Sequence, residues 1–111
     1  MENKKNFIYA IIMVIFVLTI ICVSAIKYCQ VQIMECVGEN SKLFIQPGSK
    51  SCNEQIKLLG NKIKYFNVVN CFSERDKCSE IEISSTPAWI IKKDKIYKVY
   101  NLNKLKELTN C

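Results

Sequence analysis

From Phe7 to Ile26 the chain reads FIYAIIMVIFVLTIICVSAI, an apolar block without a charge. At 1.5 Å rise per residue, about twenty residues cover the roughly 30 Å hydrocarbon layer, so the block predicts a membrane helix. Beyond it the periods become short. KLFIQ, from Lys42, is a buried strand stopped by Pro47-Gly48. Ser51 followed by Glu54 has capping-box spacing, and Ile56, Leu59 and Ile63 recur at helical intervals up to the Gly60-Asn61 stop. IKYFNVVN then predicts a second strand, rich in aromatic and β-branched residues. CFSERDKCSEIEI reads as a loop with a short helical turn. TPAWIIKKDKIYKVY predicts two strands joined at Lys93-Asp94, with alternation at Ile96, Lys98 and Tyr100. In NLNKLKELTNC, residues Leu102, Leu105 and Leu108 line one face of a last helix. The whole is an α/β pattern, β-α-β-β-β-α, behind one transmembrane helix.

Four segments follow: a tail over 1–6, a transmembrane signal anchor over 7–26, a connector over 27–41 and a domain over 42–111. The connector, KYCQVQIMECVGEN and Ser41, alternates only in part and fits a strand or a continued helix equally. Lys4, Lys5 and the amino terminus flank the block on one side, and Lys27 alone on the other, before Lys42. The positive-inside bias therefore places the N-terminus in the cytoplasm and the domain on the extracytoplasmic or lumenal side. A cleaved signal peptide is the rival, since Val23-Ser24-Ala25 has a small-residue cleavage pattern, but the apolar region is longer than the usual signal core. A lipoprotein site at Cys22 is disfavoured by bulky Ile21. Anchor and signal give the same compartment.

Composition changes that picture in two respects. The chain has 111 residues and seven cysteines; besides Cys22 these are Cys29, Cys36, Cys52, Cys71, Cys78 and Cys111. A domain this small gains a thin margin from its core, and so many cysteines point to disulfides in an oxidising space. Zinc is disfavoured, because the chain has no histidine and no C-x-x-C pair. The net charge of +6 comes from lysines scattered among acids; that distribution reads as a solvated surface rather than a nucleic-acid interface. The lysine, isoleucine and asparagine bias fits an AT-rich genome.

Three stretches together resemble the thioredoxin-like domain fused to bacterial homologues of vitamin K epoxide reductase. LFIQPGSKSCNEQIKLL lines up without gaps on that family's strand, W-C-P-H-C motif and helix. STPAWIIKKDKIYKV is similar to its Y-P-T-W-V-I-N-G-K-x-Y segment, and LNKLKELTNC to an ending of the type S-L-E-E-L-x-x-L-S-G-C. The resemblance covers Leu43 to Cys111, with T-P-A-W, the hairpin and the leucine helix as its most specific part. It implies a minimal, glutaredoxin-like thioredoxin core and a cis-proline junction at Thr86-Pro87 against the active-site turn. Local sequence alone favours a trans proline opening a strand. Cys71 and Cys78 fall where the family has an additional pair, at a shorter spacing. The resemblance implies a structural disulfide there, worth roughly 2 kcal/mol in the chain-entropy model, which can also relay electrons.

The departure lies in QPGSKSCNEQ. The family's attacking cysteine is replaced by Ser49, and only the resolving position is retained, as Cys52. A serine hydroxyl with no base beside it cannot stand in for a thiolate, so dithiol turnover at this motif is not expected. Cys52 can still act alone, because the first helical turn and Lys50 both favour a thiolate; it can equally be packed under the helix or paired. Cys29 and Cys36 form a possible pair if the connector is extended and cannot pair if it is helical. Cys111 is free, paired with the connector or used between chains.

The leading expectation is a single-pass membrane protein whose thioredoxin-like domain carries degenerate or single-thiol disulfide-exchange activity toward an extracytoplasmic protein client. Thiol-disulfide oxidoreductase or isomerase chemistry applies if it is active; no cofactor, metal or nucleic acid is expected. One alternative is a non-catalytic, disulfide-stabilised scaffold of a membrane, envelope or virion. A second is an oxidoreductase that uses Cys71 and Cys78, or Cys29 and Cys36, as its working pair.

Overall fold

One uninterrupted helix, α1 (Glu2–Glu39), carries the apolar block and continues to the edge of the first strand. The computed structural model describes residues 1–111, in two compact units, Met1–Gln32 and Ile33–Cys111. In the first unit α1 is long and apolar enough to cross a membrane, and no residue of its most apolar stretch is buried by the chain itself. Side chains such as Phe7, Phe16 and Ile21 therefore have nothing apolar around them in water, the condition a bilayer relieves. The connector expected over 27–41 is not a separate element. No proline or glycine interrupts residues 27–37, and the helix runs on until Gly38 and Glu39.

In the second unit four strands form one mixed sheet: β1 (Ser41–Ile45), β2 (Asn67–Asn70), β3 (Ala88–Ile91) and β4 (Asp94–Ile96), in the order β2-β1-β3-β4. β1 runs parallel to β2, with Leu43 opposite Val68, and antiparallel to β3, with Leu43 opposite Trp89. β3 and β4 form an antiparallel hairpin. Parallel pairing requires a crossover. It is made by α2 (Lys50–Leu59) and a 3-10 turn over Gly60–Tyr65. A short helix, α3 (Arg75–Glu80), precedes β3, and α4 (Leu102–Thr109) ends the fold.

The central strand is buried on both faces: Leu43 and Phe44 are each 0% exposed. On one face Leu43 packs with Met34 and Val37 of α1, Leu59, Phe66, Trp89, Ile91 and Leu105. On the other, Phe44 packs with Val69, Cys78 and Ala88. The alternation along β3, with Trp89 and Ile91 on one side and Ala88 on the other, is the period-two pattern of a sheet covered on both faces.

Four boundaries differ from the sequence expectation. α2 is capped by Ser49 rather than Ser51. The second strand begins only at Asn67, because Gly60, at φ +55°, turns the chain into a 3-10 helix that carries Ile63 and Phe66 onto the core from one side. The hairpin turn is Lys92-Lys93, with φ of 51° and 72°, one residue before the expected Lys93-Asp94. A two-residue turn with both central residues left-handed matches the twist of its strands. β4 then stops at Ile96, so Lys98 and Tyr100 do not extend it.

Candidate functional site around Cys52

β1 ends at Ile45, Gly48 takes φ +87° in the turn that follows, and the chain re-enters helix at Lys50. Ser49 is the N-cap: its side-chain oxygen accepts the backbone N–H of Cys52 at 3.5 Å. The residue that replaces the expected nucleophile thus satisfies one of the helix's unpaired donors. Cys52, in the first turn, is a free thiol and 1% exposed. Its sulfur accepts the backbone N–H of Gln46 at 3.5 Å, so the thiol packs against the chain that leaves β1.

Ser51 joins this turn to β3. Its hydroxyl lies 3.1 Å from Ser49 Oγ and donates to the carbonyl of Thr86 at 3.4 Å. The Thr86–Pro87 bond is cis, and Pro87 is buried immediately before β3. The structure therefore brings together Ser49, Cys52, Thr86 and Pro87, at the ends of two neighbouring strands. Residues at that edge of an open α/β sheet are well placed to meet a ligand.

Two residues outside the sequence expectation complete the arrangement. One is Ser51, as the bridge to Thr86. The other is Gln55, which is 0% exposed and makes three bonds. Its Oε1 accepts from Trp89 Nε1 at 3.0 Å and from the Tyr100 amide at 2.8 Å, and its Nε2 donates to the Tyr100 carbonyl at 2.8 Å. The signal was a polar residue on the buried stripe of α2, between Cys52 and Leu59, with a single tryptophan elsewhere in need of an acceptor.

Four of the other six cysteines form two disulfides. Cys71 and Cys78 are joined across a sequence separation of seven, with the start of α3 inside the loop and Cys78 on that helix. This loop begins beside the same strand ends, since the Cys71 amide donates to the Ile45 carbonyl at 2.8 Å. Glu74 braces it: one carboxylate oxygen pairs with Lys77 and the other accepts the Asn70 amide at 3.2 Å. The Lys77 bond first, then the Asn70 bond, hold the Glu74 carboxyl below its ordinary range.

Cys36 is joined to Cys111, with Cα atoms 6.0 Å apart and a sequence separation of 75. The possible Cys29–Cys36 pair is thereby excluded. Both residues lie on α1, seven positions apart, about 10 Å along the axis. Cys29 is a free, exposed thiol, as is Cys22.

No group of three or more His, Cys, Asp or Glu side chains gathers as a metal site. A cleft of about 600 Å³ opens at the other end of β1, lined by Ser41, Lys42, Phe66 and Asn67 among others, and includes none of the cysteines. No protein-family model and no curated protein matches the chain.

Proposed function

We propose that this chain is a membrane-anchored thioredoxin-like protein of degenerate activity. α1 spans a membrane through residues 7–26, the α/β unit lies on the extracytoplasmic or lumenal side, and Cys52 exchanges disulfides as a single thiol with a client docked along Thr86-Pro87. One observation carries this reading: in the unit Ile33–Cys111, where Cys36, Cys71, Cys78 and Cys111 are all oxidised, Cys52 alone is kept as a thiol. It sits in the first turn of the helix that follows the central strand, one residue from the Ser51 contact to Thr86. The parallel β1-α2-β2 unit, the antiparallel β3-β4 hairpin and the closing helix α4 support a thioredoxin-like reading of the fold. The two disulfides and Lys4 and Lys5 ahead of the apolar block support the compartment and orientation.

In the exchange, the Cys52 thiolate attacks one sulfur of a client disulfide. A mixed disulfide forms and the client's other sulfur leaves as a thiolate. With Ser49 in place of a second thiol, the mixed disulfide is resolved by a client cysteine, so the net outcome is rearrangement of client disulfides rather than their net reduction. A scaffold without exchange has its own support, in the burial of Cys52 and the use of Ser49 as a helix cap.

Thiol trapping in membranes isolated without reduction, followed by mass-spectrometric mapping of each cysteine, decides between them. Cys52 recovered partly in mixed disulfides supports exchange. Cys52 recovered wholly as an unreacted thiol, with both disulfides fully oxidised, establishes the scaffold. Cys71–Cys78 found partly reduced moves the activity to that pair. The variant Ser49→Cys sharpens the result: a reversible bridge to Cys52 and new reduction of a disulfide peptide are expected if the turn retains an active-site geometry.

A further inference from the structure

Exchange at Cys52 demands access to a sulfur that is 1% exposed. The buried stripe of α2 is Cys52, Gln55 and Leu59, and the bonds that hold its middle run from Gln55 to Trp89 and to both backbone groups of Tyr100. Tyr100 directly precedes Asn101, the N-cap of α4. Two of the three bonds therefore land on the segment that leads into the last helix.

α4 itself makes no side-chain hydrogen bond to the rest of the domain. Its side-chain hydrogen bonds and its ion pair, at Asn101, Lys104, Thr109 and Cys111, are all internal to the segment. It is held by Leu105 in the core, by Leu102 and Leu108 packed against that core and, at its far end, by the Cys36–Cys111 disulfide. Both of these cysteines are half-buried, as is Cys71 of the other disulfide, whose partner Cys78 is 7% exposed. A terminal helix fastened by apolar packing and one covalent bond opens at lower free-energy cost once that bond is removed.

We infer that Cys36–Cys111 is a redox latch on Cys52. Closed, it pins α4, steadies the Tyr100 backbone under Gln55 and keeps the thiol covered. Opened, it releases α4 and lets a disulfide-bearing partner reach Cys52. This rests on the exchange role proposed above. The opening agent is a dithiol reductant. One of its thiolates attacks a sulfur of the bridge and displaces the other cysteine as a thiolate; its second thiol then closes the reductant's own disulfide and frees the first cysteine. Two electrons and two protons pass to Cys36 and Cys111.

The test uses the full chain in phospholipid nanodiscs, comparing wild type with Cys36→Ser/Cys111→Ser. Alkylation of Cys52 by N-ethylmaleimide is followed by mass spectrometry, with Trp89 near-ultraviolet dichroism reporting the core. The latch predicts about tenfold faster labelling of Cys52 in the folded double variant, with Cys22 and Cys29 unchanged. Equal rates in two folded proteins overturn it. A disulfide peptide offered to both proteins separates the two ideas: faster alkylation without any mixed disulfide keeps the latch and overturns the exchange role. Mixed disulfide at equal rates in both does the reverse. Should the double variant lose its Trp89 signal, wild type in graded dithiothreitol buffers replaces it. Cys52 labelling must then rise with opening of Cys36–Cys111 and ahead of the Trp89 change; labelling that waits for that change overturns the latch.

Discussion

The two ends of the central strand are built differently. At the end where β1 begins, α1 hands over through a tight set of constraints. A Cβ on Gly38 would collide with the backbone carbonyl of Tyr65, the Ser41 hydroxyl donates to the Val37 carbonyl, and Cys36 is bonded to Cys111. At the end where β1 stops, the turn into α2 is held by a serine cap, one serine-to-carbonyl contact and a thiol accepting a backbone amide. The first end is tied by a long-range disulfide and a steric contact; the second has weak polar bonds in the turn itself and only the short Cys71–Cys78 loop beside it. Rigidity at one end and latitude at the other is the distribution expected where local opening serves a site.

Removing the covalent restraint should be the most damaging change. Closing a loop of 75 residues restrains the unfolded chain by about 4 kcal/mol in the chain-entropy model, against roughly 2 kcal/mol for the seven-residue separation of Cys71 and Cys78. Chemical denaturation of Cys36→Ser/Cys111→Ser and of Cys71→Ser/Cys78→Ser, with Trp89 as the probe, should rank them in that order. The reverse ranking would break the contrast between the two ends.

Gln55 lies between the ends, and its loss should be felt at both. Gln55→Leu preserves the volume of the side chain but leaves the Trp89 indole N–H and the Tyr100 amide and carbonyl without partners. Each buried unpaired group costs about 1 to 3 kcal/mol, so a loss of about 3 kcal/mol is expected from the same denaturation curves. A loss below about 1 kcal/mol would show that water replaces the side chain and that Gln55 does not couple α2 to α4.

What could be read from the sequence divides along the same line. The strand, turn and helix of LFIQPGSKSCNEQIKLL, and the leucine face of α4, were legible because local spacing carries them. Thr86-Pro87 against the first turn of α2 was legible only through family resemblance, since nothing local marks a cis bond. The base of the domain was not legible. Whether 27–41 continued the helix depended on Met34 and Val37 finding a core contributed by residues up to Leu105, and the Cys36 partner was the most distant cysteine in the chain. Gln55 was passed over because a polar residue on an apolar stripe acquires meaning only once Trp89 is placed above it. Long-range partners, not propensities, separate the legible from the illegible.

At the weak end, the cap gives a smaller and more local effect. Ser49→Ala removes the acceptor of the Cys52 amide and should cost about 1 kcal/mol. Ser49→Asp, which keeps an acceptor and adds charge at the helix start, should restore most of it. If Ser49→Ala is neutral, the hydroxyl does not stabilise the helix as a cap.

The smallest effect concerns the loop beside that end. Glu74 accepts from Lys77 and from the Asn70 amide, and both bonds favour the ionised carboxylate, placing its folded pKa below the reference value of 4.5. A carboxylate lowered on folding contributes stability that is fully present above the unfolded value and is lost as pH falls through the folded one. The group is exposed, so solvent screens the contribution, and the readable consequence is local. The Asn70 amide resonance should titrate with a midpoint below 4.5, and Glu74→Gln should abolish that transition. A midpoint at or above 4.5 would mean that the carboxylate is not engaged. The loop closed by Cys71 and Cys78 would then be held at its start by the disulfide, the Cys71 amide bond to Ile45 and the amide bonds of Phe72, Ser73 and Glu74 to Asn70.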